Sequence, residues 1–134
     1  MTNIELVKLS IKAREKSYAP YSNFFVGAAL LTTCGKVFTG CNIENAAYSP
    51  TLCAERSAFA TAVSSGFTQF SAISIAGWAK DQKSGSATPC GVCRQFMKEF
   101  CKDDFLILVT NYNYKYEEYT LGELLPHGFG AESL

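Results

Sequence analysis

The chain has 134 residues, of which 48% are hydrophobic; that is enough for one domain with a real core and excludes a disordered polymer. Lys plus Arg and Asp plus Glu balance at twelve each, so no strong field gathers polyanions and nucleic acid is set aside as the main partner. The start Met1-Thr2-Asn3-Ile4-Glu5 has no signal-peptide pattern, and apolar runs such as Val26–Leu31 are too short to span a bilayer. A cytoplasmic protein without membrane partners is expected, with its six cysteines kept as thiols.

In chain order, a first helix is expected over Ile4–Lys16. Its residues are good helix formers, although their apolar spacing is only roughly helical, and Thr2 or Asn3 can cap it. Pro20 biases its predecessor away from α geometry and ends that helix within Tyr18–Asn23. Phe25–Thr33 reads as a buried strand, Cys34-Gly35 as a tight turn and Lys36–Cys41 as the returning strand of a hairpin. The Ala-rich stretch Leu52–Ser65 fits a helix closed by Gly66.

Phe70–Trp78 is β-like, and Ala79–Thr88 is a polar loop. Cys90–Cys101 fits another helix with Phe96, Met97 and Phe100 on one side. Phe105–Thr110 reads as a strand, Asn111-Tyr112-Asn113 as a turn and Tyr114–Tyr119 as a last strand. Thr120-Leu121-Gly122-Glu123 has the pattern of a capping box opening a short helix, which Pro126, His127 and Gly128 end. The order α-β-β-α-β-α-β-β-α over residues 1–134 predicts a single α/β domain with helices on both faces of a sheet. The short link after Thr110 suggests that the last two strands pair antiparallel.

Two segments carry the chemistry, Thr51-Leu52-Cys53-Ala54-Glu55-Arg56 and Pro89-Cys90-Gly91-Val92-Cys93-Arg94. Together they offer three thiolates to one metal. Three protein ligands leave a fourth position on a tetrahedral zinc open, which separates a catalytic site from a structural one. A carboxylate two residues from the first ligand could move the protons of a water held there. Cys53 and Cys90 both fall at expected helix starts, where free N–H groups and the positive end of the dipole favour thiolate. Three thiolates also make zinc a poorer Lewis acid than neutral imidazoles do, so donors that draw charge from sulfur matter. Arg56 and Arg94 each follow a ligand; Arg56 is the stronger candidate and a solvated surface position is expected for Arg94. On spacing alone, Cys90-x-x-Cys93 also suits a thiol-disulfide redox pair or part of a structural zinc module. Cys34, Cys41 and Cys101 lie outside the motifs and read as structural thiols.

Cys53-Ala54-Glu55 followed by Pro89-Cys90-Gly91-Val92-Cys93 resembles the signature of the zinc deaminases. Three further stretches resemble the small tetrameric cytidine deaminases: Tyr18-Ala19-Pro20-Tyr21-Ser22 with Phe24 and Val26–Leu30, Gly40–Ala46, and Glu123-Leu124-Leu125-Pro126 with Phe129. The resemblance covers nearly the whole chain; Ser49–Leu52 and the loop Ala79–Thr88 are less typical, and neither is expected to touch a motif residue. It implies a three-layer α-β-α sandwich around a five-stranded mixed sheet and one zinc per chain on Cys53, Cys90 and Cys93. Glu55 is then the proton shuttle in hydrolysis of free cytidine or 2′-deoxycytidine to the uridine, with release of ammonia, as in pyrimidine salvage. Asn42 and Glu44 would bond the ribose hydroxyls, Phe24 would pack on the pyrimidine, and the Ala54 carbonyl would accept from the exocyclic amine. Tyr48 and Phe129 would reach a neighbouring subunit's site in a homotetramer.

Overall fold

The structure, a computed structural model, describes residues 1–134. Helix α1 spans Asn3–Arg14 and starts on a capping box, in which the Thr2 hydroxyl accepts from the Glu5 N–H while the Glu5 carboxylate accepts from the Thr2 N–H. This arrangement satisfies two otherwise orphaned donors. Strands β1 (Phe24–Thr32) and β2 (Val37–Cys41) form the expected hairpin, with Gly35 in the left-handed region at φ 92°. Helix α2 (Ala54–Ser64), strand β3 (Phe70–Ala79), helix α3 (Gly91–Phe100) and strands β4 (Leu106–Thr110) and β5 (Tyr116–Thr120) follow. The short α4 (Leu121–Leu124) starts on the foreseen Thr120–Glu123 capping box. A 3₁₀ turn over Ala131–Ser133 lies beyond it.

The five strands are ordered β2-β1-β3-β4-β5. Only β3 and β4 are parallel; β1 pairs antiparallel with β2 and with β3, as does β4 with β5. The sheet is therefore mixed, and the expected antiparallel last pair is present.

Alternation along the strands sorts the core into two faces. Ala28, Leu30, Ile73, Ile75, Ile107 and Val109 point to the layer of α2 and α3, where Phe59 and Met97 are fully buried. Ala29, Ala72 and Leu108 point to Leu6 and Val7 of α1 on the other face. The result is the predicted α-β-α sandwich.

Two glycines let the helices approach the sheet closely. A Cβ at Gly27 would stand 2.2 Å from the Ser10 carbonyl of α1, and one at Gly40 would stand 2.5 Å from the Ala58 nitrogen of α2. The polar face of α1 also finds partners in the sheet: Ser10 bonds Ser74 at 2.8 Å, and the buried Arg14 donates to the carbonyls of Phe25, Trp78 and Ala79.

Candidate metal centre

The layer of α2 and α3 brings two helix starts together. Cys53 is the N-cap of α2 and Cys90 the N-cap of α3, both in extended backbone, and neither side chain caps its own helix. Their sulfurs are thus free to face each other, with Cys93 following in the first turn of α3. The three Sγ atoms lie within 4.8 Å of one another, and no fourth His, Cys, Asp or Glu donor joins the group. Sulfurs about 2.3 Å from a tetrahedral zinc stand roughly 3.8 Å apart; the Cys53–Cys90 separation is 3.8 Å. The donor set and its spacing therefore fit a zinc ion with one position left open.

Electrostatics at the cluster favour a thiolate at Cys53. The Cys93 thiol bonds the Cys53 sulfur and, helped by Arg56, holds Cys53 down to about 5 against its burial. The same bond pushes the buried Cys93 up, because the proton stays on it. Arg56 Nη2 donates to Cys53 Sγ at 3.3 Å, and its guanidinium also reaches Cys93. Burial alone would lower the Arg56 pKa, but the two sulfurs more than reverse that. Its Nε is buried without a protein partner, an arrangement that thiolates beside it make tolerable. The Arg56 guanidinium thus lies against the sulfurs of Cys53 and Cys93.

Glu55, 5% exposed, sits in the first turn of α2. Desolvation pushes its carboxyl up to about 7; the Cys53 thiolate adds to this, while its own backbone N–H, Cys93 and Arg56 work against it. A carboxyl that exchanges a proton near neutrality suits general acid and base work. Glu55 also lines a cavity of about 200 Å³ with Cys53, Cys90, Ala54 and Asn42. Ala54 is the first residue of α2, so its N–H is one of the helix's unpaired donors. Its carbonyl lies inside the helix against Gly40 of β2, 2.6 Å from where a Cβ there would stand.

The remaining expected residues divide. Asn42 lines the same cavity, and its amide braces β1 by accepting from the Val26 N–H at 2.9 Å and donating to the Phe24 carbonyl at 2.8 Å. Glu44 and Tyr48 line an adjoining cavity of about 300 Å³; Thr51 belongs to both. The Glu44 carboxylate accepts from the N–H groups of Tyr21 and Ser22 and from the Ser22 hydroxyl. Phe24, half-buried at the start of β1, lines neither cavity. Tyr48, at φ 61°, and Phe129 are 77% and 60% exposed.

Two expectations are corrected. Arg94 does not sit free at the surface: it is half-buried and bonds the carbonyls of Pro89 and Leu124. The stretches read as touching no motif residue in fact wall the site. Thr51, Leu52, Ala87 and Thr88 line the cavity with the cysteines, and Leu52 pairs with Ile43 through both backbone bonds at 2.9 Å. The available signal was position, since these residues directly precede Cys53 and Pro89-Cys90.

The family described as the cytidine and deoxycytidylate deaminase zinc-binding region matches residues 1–109. A cytidine deaminase of Sporosarcina psychrophila is 47% identical over 130 residues, which cover 97% of this chain and 93% of that one. One of Halalkalibacterium halodurans is 45% identical over 129 residues, covering 96% and 95%. The 1.6 Å crystal structure of a cytidine deaminase from Burkholderia pseudomallei superimposes with a TM-score of 0.88 at 45% identity, covering 96% of this chain and all of that one.

Proposed function

The chain belongs to the cytidine and deoxycytidylate deaminase family, and from that we propose that it hydrolyses cytidine and 2′-deoxycytidine to the corresponding uridine and ammonia. It is a deaminase, and so a hydrolase. The observation that carries the reading is the buried Glu55 carboxyl beside three converging thiols whose fourth side is open.

Cys53, Cys90 and Cys93 would hold one zinc ion per chain. Bound there, zinc supplies Lewis acidity that makes water a nucleophile at neutral pH. Arg56 tempers the charge of three thiolates by drawing on Cys53 and Cys93. Glu55 takes a proton from the attacking water and passes it to ring N3, then takes the second from the hydroxyl now on C4 and delivers it to the departing amine, so that both protons come from the one water. Its pKa near 7 lets it act as base and acid in turn. The free Ala54 N–H suits the ring's O2 acceptor.

Asn42 and Glu44 each spend part of their bonding capacity on the segment from Tyr21 to Val26. Asn42 keeps one N–H, and both residues keep acceptor lone pairs, for the ribose hydroxyls. Phe24 would then meet the ring by packing from the start of β1. Tyr48 and Phe129 complete the cavity from neighbouring subunits of a homotetramer. We place the enzyme in the cytoplasm, in pyrimidine salvage, acting as a single domain over residues 1–134; no helix is long and apolar enough to cross a membrane.

The test is to give the zinc-loaded protein cytidine, 2′-deoxycytidine and the free base cytosine, following ammonia release and the change in absorbance. Turnover of both nucleosides with little on cytosine is expected. Equal turnover of cytosine would remove Asn42 and Glu44 from recognition, and no turnover of any would contradict the reading.

A further inference from the structure

Arg94 directly follows the Cys93 ligand, yet its side chain turns away from the sulfurs. Nε donates to the Pro89 carbonyl at 2.7 Å, and Nη1 donates to the Leu124 carbonyl at 2.7 Å. The first bond fixes the peptide joining Pro89 to Cys90. That peptide plane sets φ of Cys90, −68°, and with it the direction in which the Cys90 side chain leaves the backbone. Cys90 is exposed, and its one side-chain hydrogen bond is with the Cys53 sulfur.

The second bond anchors the end of α4. Other residues of α3 fasten the chain beyond it: Gln95 Nε2 donates to the Phe129 carbonyl at 2.8 Å, and Lys98 pairs with Glu132 at 3.1 Å. Of these three, only Arg94 also touches the segment that presents Cys90.

We propose that Arg94 is a positioning residue that braces the Pro89-Cys90 peptide against the end of α4, so that its own two bonds help hold a metal ligand in place. The role rests on the zinc-site reading above. A guanidinium suits it, because its planar fork sends two donors to two acceptors at fixed angles, which a single ammonium does not reproduce. Partners that orient a ligand from outside the coordination shell typically govern metal affinity by about 10- to 100-fold.

The experiment follows zinc release to a chelator from wild type, Arg94→Ala, Arg94→Lys and Lys98→Ala, each loaded to equal zinc and checked by thermal melting. The visible spectrum of the cobalt-substituted forms reports ligand geometry. Arg94→Ala is expected to release zinc about tenfold faster or more and to show an altered cobalt spectrum. Arg94→Lys should also release it faster, and it serves if the alanine variant does not fold. Lys98→Ala loosens the same segment without touching Pro89 and is expected to match wild type. Wild-type zinc retention in both Arg94 variants would overturn the role, as would equally fast release from Lys98→Ala. A wild type that binds no zinc would instead sink the functional reading, and this role with it.

Discussion

At the Glu55 carboxyl, stability and chemistry pull in opposite directions. Burial moves its pKa from an ordinary 4.5 to about 7. The folded state thus binds the proton more tightly than the unfolded one. The stabilisation this represents is full below about pH 4.5 and is lost as pH rises through 7, so above that the ionised carboxylate costs on the order of 3 kcal/mol. In the metal-free protein, Glu55→Gln is expected to melt higher than wild type at pH 8, with the gap narrowing towards pH 5. A gap independent of pH would show that Glu55 does not titrate in this window. Replacing Cys53, Cys90 or Cys93 by Ala is expected to lose zinc and turnover together, as elemental analysis beside the assay would show; full zinc content in all three variants would refute the site. These residues were legible because their chemistry sits in two short motifs. Arg94 was not, because its acceptors are backbone carbonyls at 89 and 124, which leave no pattern in side-chain identity.

The elements that carry the site are set by how closely they approach the sheet. Gly40 lets α2, and with it Cys53 and Glu55, settle onto β2; Gly27 does the same for α1 on the far face. Either changed to Ala must push backbone away, costing roughly 1–3 kcal/mol. Gly40→Ala is expected to weaken zinc binding and turnover as well as lower the melting temperature. Gly27→Ala is expected to lower the melting temperature while zinc content per folded protein stays near one. Equal effects on zinc would mean that the α2 approach does not set the site. The nine helices and strands of the main fold were legible in order, since turn residues and capping boxes bound most of them. Helix α2 begins at Ala54, not the expected Leu52, because Cys53 holds extended backbone to present its sulfur. The face of α1 was blurred because buried Ser10 and Arg14 find their partners in distant strands, which breaks the apolar period.

Across the whole molecule, the sequence pointed to layers but not to strand order. The placing of β1 between β2 and β3 depends on pairings far apart in the chain, which local pattern does not encode. Quaternary structure belongs to the same scale. Tyr48 and Phe129 stand out from the surface at 77% and 60% exposure, and in a homotetramer they would close neighbouring cavities. Size-exclusion chromatography with light scattering is expected to find four chains, and Phe129→Ala to raise KM more than it lowers kcat. A monomer with full activity would remove both residues from any substrate site.

The claim beneath all of this is that Glu55 moves the protons of deamination beside a three-cysteine zinc site. It is tested most directly by comparing uridine formation from cytidine by wild type and Glu55→Ala, each with measured zinc content. A shuttle serving several proton transfers should be worth more than the usual factor of about 10²–10⁴ for one. The variant is therefore expected to keep about one zinc per chain and a native melting profile while turnover nearly vanishes. A zinc-replete, folded Glu55→Ala protein that turns cytidine over at close to the wild-type rate would contradict the account.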